Sequence, residues 1–332
     1  MRILVTGAAG YIGSHTCAGL LKSGYDVVAI DNFSNSDASV ISKIKQITGK
    51  EICFYECDLR RKEEVNDIFE ENRIDAVIHF AASKSVPESV GEPLLYYHNN
   101  LLSTINLLEL IKQYGIKRLV FSSSATVYGT KNTVPLTEEM PLSATNPYGW
   151  TKVMNEQIIK DYALTDKDMR VAILRYFNPI GADPSGLIGD KPNGIPGNLM
   201  PYLCMASVGK LPSVMIYGTD YPTKDGTGVR DYIHIVDVVE GHLKALEKLD
   251  RINGAQTFNL GTGKGITVLE LLDTFEKVTG LQVKREFKDR RPGDISEIYA
   301  DVSKAESELE WKAKHSLEDM CRDSYNFIKM DT

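Results

Sequence analysis

The chain reads as an α/β protein: a doubly wound parallel sheet followed by a smaller mixed α/β domain. Three observations carry that reading. Short β-rich runs alternate with amphipathic helical stretches through the first half of the chain, the order of parallel βαβ units. The runs are nearly continuous in apolar residues, as strands buried on both faces require. A glycine-rich turn, Gly7-Ala8-Ala9-Gly10-Tyr11-Ile12-Gly13, separates the first such run from the first helical pattern.

Candidate strands are Arg2–Thr6, Asp26–Ile30, Ile52–Glu56, Asp75–Phe80, Lys117–Ser122 and Arg170–Phe177, with a seventh over Gln256–Leu260. Helical patterns lie between them at Ile12–Ser23, Asp37–Ile47, Lys62–Glu71, Pro93–Tyr114 and Tyr148–Leu164. After Phe177 the texture changes. Residues 178–197 are rich in glycine and proline and read as a long ordered loop at a domain boundary. Beyond it come a short strand near Ser213–Tyr217 and helices near Val236–Leu249, Val268–Val278 and Leu317–Ile328. The expected division is 1–177 for the nucleotide-binding domain, with a return segment at about 235–260, and 178–332 for the substrate domain.

The 332 residues are enough for one large domain and a smaller one. The formal charge of −7 argues against a general nucleic-acid footprint. The odd count of five cysteines, without a Cys-x-x-Cys pair, fits thiols in a reducing compartment, and the six histidines show no metal-ligand spacing. The apolar start is too short for a signal-peptide core, and no run is long enough to span a membrane. The expectation is a cytoplasmic protein that binds no metal, nucleic acid or membrane.

The glycine turn permits close approach of a pyrophosphate to a helix N-terminus, where free amides and the helix dipole favour negative charge. Its spacing is Gly-x-x-Gly-x-x-Gly. This predicts dinucleotide binding by Gly7, Gly10, Tyr11, Ile12 and Gly13. Asp31 closes the second strand, where a carboxylate accepts bonds from the adenosine ribose hydroxyls and repels a 2′-phosphate. No arginine stands beside it in sequence, so NAD is expected rather than NADP.

Pro147-Tyr148-Gly149-Trp150-Thr151-Lys152 places a phenol and an ammonium one helical turn apart on one face. At about 4 Å and an effective dielectric of about 20, such a pair gains roughly 4 kcal/mol. That is about three pKa units, which would bring the phenol toward neutrality as a general base for an alcohol. Ser122-Ser123-Ser124 ends another parallel strand, where ligands bind in such sheets. A serine there either satisfies strand-end amides or shares a proton with a substrate hydroxyl beside Tyr148.

Together these residues resemble the extended short-chain dehydrogenase/reductase family, whose nucleotide-binding domain is of the Rossmann type. The resemblance is closest to the branch that epimerises UDP-hexoses at carbon 4, and it covers nearly the whole chain. It is carried by Val5-Thr6-Gly7 through Gly10-Tyr11-Ile12-Gly13-Ser14-His15, Asp31-Asn32, Ser122 to Gly129, Pro147-Tyr148 with Lys152, Arg175-Tyr176-Phe177-Asn178-Pro179, and Asp225 to His234. The resemblance implies Ser124, Tyr148 and Lys152 as the catalytic residues. It implies NAD contacts from Asp31, Asn32, Asn35, Ser36, Asp58, Leu59, Phe80, Ala81, Lys84, Asn99 and Tyr176. It implies a UDP-sugar held by Phe177, Asn178, Asn198, Leu199, Tyr217, Arg230, Arg291 and Asp294, with Ile298 on the far wall of the sugar pocket. It also implies a homodimer built on the helices over Pro93–Tyr114 and Tyr148–Leu164.

Physical chemistry agrees with the ligand set. Arg230 and Arg291 can fork onto phosphate oxygens, Tyr217 can stack on uracil, and Asp294 can accept from a ribose hydroxyl. Trp150-Thr151 and Cys57 depart from the family's usual residues, beside functional positions rather than at them. The 4,6-dehydratases of the family carry an acidic pair where this chain has Ala125-Thr126, so elimination of water lacks its acid and base. The implied reaction interconverts UDP-galactose and UDP-glucose through a 4-keto sugar. The competing readings are an epimerase of UDP-N-acetylglucosamine or UDP-glucuronate, and a non-catalytic NAD-sensing protein.

Overall fold

The computed structural model describes residues 1–291 and 294–331. The chain falls into two compact units: residues 1–131, 141–175 and 239–258 form the first, and residues 132–140, 176–238 and 259–332 the second.

In the first unit β1 (Arg2–Thr6), α1 (Tyr11–Lys22), β2 (Asp26–Asp31), α2 (Ser39–Thr48), β3 (Cys53–Glu56), α3 (Lys62–Glu71) and β4 (Ala76–His79) follow the expected alternation. Then come α4 (Val86–Gly91), α5 (Pro93–Gln113), β5 (Arg118–Ser124), one 3-10 turn over Ala125–Tyr128, α6 (Pro147–Leu164) and β6 (Arg170–Tyr176). The second unit adds β7 (Asn178–Ile180), α7 (Leu199–Ser207), β8 (Val214–Tyr217), β9 (Val229–Arg230) and β10 (Tyr232–His234). Next are α8 (Ile235–Lys248) and β11 (Gly254–Leu260), largely of the first unit. The chain closes with β12 (Ile266–Thr267), α9 (Val268–Thr279), β13 (Arg285–Lys288), β14 (Glu297–Ile298), α10 (Ser303–Glu308) and α11 (Leu317–Met330).

The main sheet has seven strands in the order β11-β6-β5-β4-β1-β2-β3. The pairs β1–β2, β2–β3, β1–β4 and β4–β5 are parallel. Leu4, Val28, Ile30, Val77, Phe121 and Ile173 of the sheet pack under α3, α5 and α6 through Val65, Ile68, Leu107, Ile111 and Ile159. On the opposite face, α1 and α8 approach so closely that a Cβ on Gly19 would stand 2.6 Å from Val239 Cγ1. The order reverses between β1 and β4. At such a switch point the loops leaving two neighbouring strands turn apart and leave a crevice for a ligand.

The second unit has its own core, in which Leu203, Leu271, Phe275, Val214, Ile216, Met320 and Cys321 are buried together. Its strands pair as β7–β10, β12–β9–β14 and β8–β13. The region expected as a loop from residue 178 opens instead with β7, because residues 178–180 register in parallel with Tyr232–His234. No helix among the described residues is long and apolar enough to cross a membrane.

Gly7 carries the geometry of the switch point. Its φ is +67°, and a Cβ there would meet Ala81 N at 2.7 Å and Phe80 C at 3.1 Å. Gly10 has φ −69°, and a Cβ there would meet only Gly7 O, at 3.4 Å. Gly7→Ala should therefore cost about 1–3 kcal/mol of backbone strain plus the clash, whereas Gly10→Ala should fold with near-normal stability. Urea unfolding midpoints of the two variants check this; equal midpoints would remove the argument.

Candidate functional site

Helix α6 presents the candidate acid-base pair. It starts where the sequence sets it. Pro147 occupies the first helical position, and Asn146 caps the turn by accepting a bond from Gly149 N at 2.9 Å. Tyr148 and Lys152 then lie one turn apart. Ser124 ends β5, and its hydroxyl lies close enough to the Tyr148 phenol to pull that group's pKa down. Ser124 Oγ also accepts from Thr126 Oγ1 at 3.0 Å and Thr126 N at 3.3 Å. A proton donated from this hydroxyl to Tyr148 favours the phenolate.

The lysine does not sit where the simple pair argument placed it. Its Nζ donates to Ser122 O at 2.7 Å and lies 6.0 Å from the Tyr148 ring centroid. Burial pushes the Tyr148 phenol up, the Ser124 bond opposing, and pulls the Lys152 ammonium down to about 8. The expected drop of the phenol toward neutrality is therefore corrected. Desolvation of both partners outweighs an attraction that sequence spacing alone made look dominant. Thr151, one of the departures from the family pattern, is fully buried. It donates to Tyr148 O at 2.7 Å and accepts from Asn100 Nδ2 at 2.9 Å.

The same unit carries the nucleotide candidates. Gly10 N-caps α1 with no side-chain bond, so the first-turn amides of Tyr11 and Ile12 face outward from the helix end. Gly13 packs on Gly7, where a Cβ would come 2.0 Å from Gly7 O. Asp31 is fixed by Ala9 N at 2.9 Å, Phe33 N at 2.9 Å and Ser36 Oγ at 2.9 Å. Asn32 donates to Asp58 at 3.1 Å, and Arg60 forks onto Asp58, holding that carboxyl well below its usual range. Leu59 is buried beside them, its carbonyl taking a bond from Asn106. Asn35 is exposed. Phe80 and Ala81 leave β4 against Gly7, and Ala81 N donates to Thr6 Oγ1 at 3.4 Å. Asn99 holds Ser83, whose neighbour Lys84 is exposed. Tyr176, the last residue of β6, is buried and belongs to the second unit. A glycine-lined helix end and two fixed carboxylates fit a dinucleotide without a 2′-phosphate.

The second unit carries the residues expected to hold a UDP-sugar. Arg230 Nη2 donates to Asp294 at 2.5 Å, and its Nη1 donates to Val229 O and Ile295 O. Ile298 stands opposite Arg230 in the β14–β9 ladder. The Arg291 guanidinium lies 4.0 Å from the Tyr217 ring centroid. Asn178 N donates to Asp231 O. Asn198 caps α7, with Leu199 its first residue, and Phe177 N donates to Leu260 O. Tyr299 packs over Gly265, where a Cβ would meet its ring at 3.1 Å, which leaves Ile298 as the side chain of the opposite face.

Several partners escaped the sequence reading. Asn100 bonds both the N–H and the carbonyl of Ser83, and Arg60 neutralises Asp58. Glu156 is the one a signal could have found: it lies four residues after Lys152 and continues the Tyr148–Lys152 face.

The pattern of the NAD dependent epimerase/dehydratase family matches residues 3–261. The chain belongs to that family. It is 59% identical to a UDP-glucose 4-epimerase of Bacillus subtilis, over 98% of this chain and 96% of that protein. A solved UDP-glucose 4-epimerase from Bifidobacterium longum, in complex with NAD+ and UDP, superposes with a TM-score of 0.96 at 48% identity and covers 100% of this chain and 99% of its own. A UDP-Glc/GlcNAc 4-epimerase from Campylobacter jejuni gives 0.87 at 37%, covering 99% of each. The family match agrees with the extended short-chain dehydrogenase/reductase reading.

Lys152 is 3% exposed, and its lowered pKa means that folding strains the charged form. Between pH about 8 and about 10.5 the unfolded chain binds more protons than the folded one, so this group adds stability as pH rises and costs stability below that window. Lys152→Met should raise the stability of NAD-free protein at pH 7 by roughly 1–3 kcal/mol, less the lost bond to Ser122, while lowering turnover. Urea unfolding at pH 7 and pH 10 checks it: the gain should shrink at the higher pH, and a gain independent of pH would contradict the burial argument.

Proposed function

We propose that this protein interconverts UDP-galactose and UDP-glucose by NAD-dependent epimerisation at carbon 4, through a transient 4-keto sugar. The observation that carries the reading is the meeting of Ser124, Tyr148 and Lys152 at the end of β5. Whole-length similarity to UDP-glucose 4-epimerases supports the substrate. In this reading the first unit holds NAD through the residues around Gly7, Asp31 and Asp58, and the second grips UDP through Arg230, Arg291, Tyr217 and Asn178.

NAD, when bound, supplies a hydride acceptor for carbon 4 and a cationic ring that favours an anionic phenol. The chain supplies the proton chemistry. Tyr148 Oη takes the proton of the 4-hydroxyl and later returns it. Ser124 stabilises the phenolate by donating to it. Lys152 keeps a positive charge beneath the pair. The keto sugar must turn to present its other face, so binding energy belongs on the nucleotide rather than the hexose.

The reading includes a cytoplasmic homodimer working in galactose metabolism. Leu94 and Ile105 on α5, with Trp150 and Met154 on α6, leave apolar side chains exposed at 81%, 39%, 38% and 39%. A second copy would cover them.

Purified protein should convert UDP-galactose to UDP-glucose without added NAD. Tyr148→Phe should retain NAD but lose about 10²–10⁴ in rate; near-normal turnover by folded variant would sink the assignment of the base.

Sugar range should follow Ile298, which is smaller than tyrosine and larger than cysteine or serine. The unsubstituted hexoses should be the best substrates, with weaker use of UDP-N-acetylglucosamine. Ile298→Gly should raise the N-acetyl activity and Ile298→Tyr should abolish it. An unchanged ratio of the two activities in both variants would remove Ile298 from the pocket wall.

A further inference from the structure

Three consecutive serines end β5, and only Ser124 enters the proposed chemistry. The other two also reach α6. Ser122 O accepts from Lys152 Nζ at 2.7 Å, and Ser123 Oγ donates to Glu156 Oε1 at 2.6 Å. Tyr148, Lys152 and Glu156 are spaced by four along one helix face: Lys152 and Glu156 bond Ser122 and Ser123, and Tyr148 faces Ser124.

Glu156 is itself gripped. Arg175 of β6 forks onto it, Nε to Oε1 at 2.8 Å and Nη2 to Oε2 at 2.6 Å. Both side chains are almost wholly buried, at 2% and 1% exposure. The remaining guanidinium nitrogen, Nη1, donates to Tyr128 Oη at 3.0 Å, and the cation lies 4.9 Å from the Tyr128 ring centroid. Tyr128 ends the 3-10 turn that Ser124 caps. One ion pair therefore touches the residue before Ser124, the turn after it and the helix opposite it.

We propose that Glu156, held by Arg175 and Ser123, is a positioning residue for the epimerisation: it locks the end of β5 against α6 and so sets the approach of the Ser124 hydroxyl to the Tyr148 phenol. This rests on the roles given to Ser124 and Tyr148 above. Stability alone gives a poor account of the arrangement, because a buried ion pair is often no more stabilising than apolar residues of the same shape. A fixed, multi-point geometry is what such a pair adds, and proton transfer is the step most sensitive to it.

Ser123→Ala is the sharpest test, since it removes one bond to Glu156 and leaves the ion pair intact. We expect kcat for UDP-galactose to fall about tenfold with KM changed by less than about twofold. Bound NAD per chain should be unchanged, and the solvent deuterium isotope effect on kcat should rise as proton transfer becomes limiting. Ser123→Thr keeps the hydroxyl and should recover most of the rate. Glu156→Gln should show the same signature more strongly. If it fails to fold, the two Ser123 variants still decide the matter. A Ser123→Ala enzyme with wild-type kcat and isotope effect, and only a lower unfolding temperature, would make the network purely structural and overturn the proposal. Wild-type protein measured alongside separates the two failures: no turnover by it overturns the epimerase reading together with this inference, whereas normal turnover with an indifferent Ser123→Ala overturns this inference alone.

Discussion

One helix face fitted against one strand end organises the first unit. Residues 148, 152 and 156 of α6 span two turns, about 12 Å along the axis. The three serines of β5 span about 7 Å. A helix and a strand of such different rise share three successive contacts only when their crossing is fixed. Asn146 and Pro147 fix where the helix starts. The Glu156–Arg175 pair fixes where it lies, because separating a buried pair of this kind costs about 3–5 kcal/mol. The phenol, the ammonium and the serine hydroxyl inherit their places from that crossing.

The electrostatics of the site follow from the same burial. Spacing in the sequence identifies a phenol and an ammonium that can help each other, and Coulomb's law then favours the charged pair. The fold adds the opposing cost. Both groups are taken out of water, the phenol is pushed up, and the ammonium spends its shortest bond on Ser122 O rather than on the phenolic oxygen. Burial alone therefore favours the neutral phenol. Ser124, at the end of β5, opposes that shift.

Legibility in the sequence tracked the length of the local signal. The strands and long helices of the first unit were readable because each spans two or more periods and is punctuated by glycine, proline or a cap. β9, β12 and β14 have two residues each, too few to show any period, and exist only because they register with one another. α4 and α7 carry Pro87 and Pro201 inside their first turns. Proline discourages a helical reading there, yet it is tolerated because those amides have no intrahelical partner. At the site, the glycine turn, Asp31 and Tyr148 with Lys152 were readable from residue type and spacing. Arg60 on Asp58, Asn100 on Ser83 and Thr126 on Ser124 were not, because nothing in a sequence says which neighbour a polar side chain will turn to.

The second unit shows the complementary design. Asp231 is fully buried between Arg230 and Tyr232, and burial pushes its carboxyl up while four donors pull it back. Thr262 N and Oγ1 bind one oxygen, at 2.7 and 2.6 Å, and Gly263 N and Ala300 N the other, each at 3.1 Å. Its own N–H donates to Ile298 O, and its carbonyl accepts from Asn178 N. One residue therefore sets the register of three candidate ligand positions, Asn178, Arg230 and Ile298, with no side-chain freedom of its own. Pre-set polar groups bind a nucleotide without the entropy of ordering them. Such rigidity suits a nucleotide diphosphate that must stay in one pose, and would hinder a sugar that must turn between two. A concentration of fixed polar contacts around Arg230 suits an enzyme that must hold one end of its substrate still while the other end rotates.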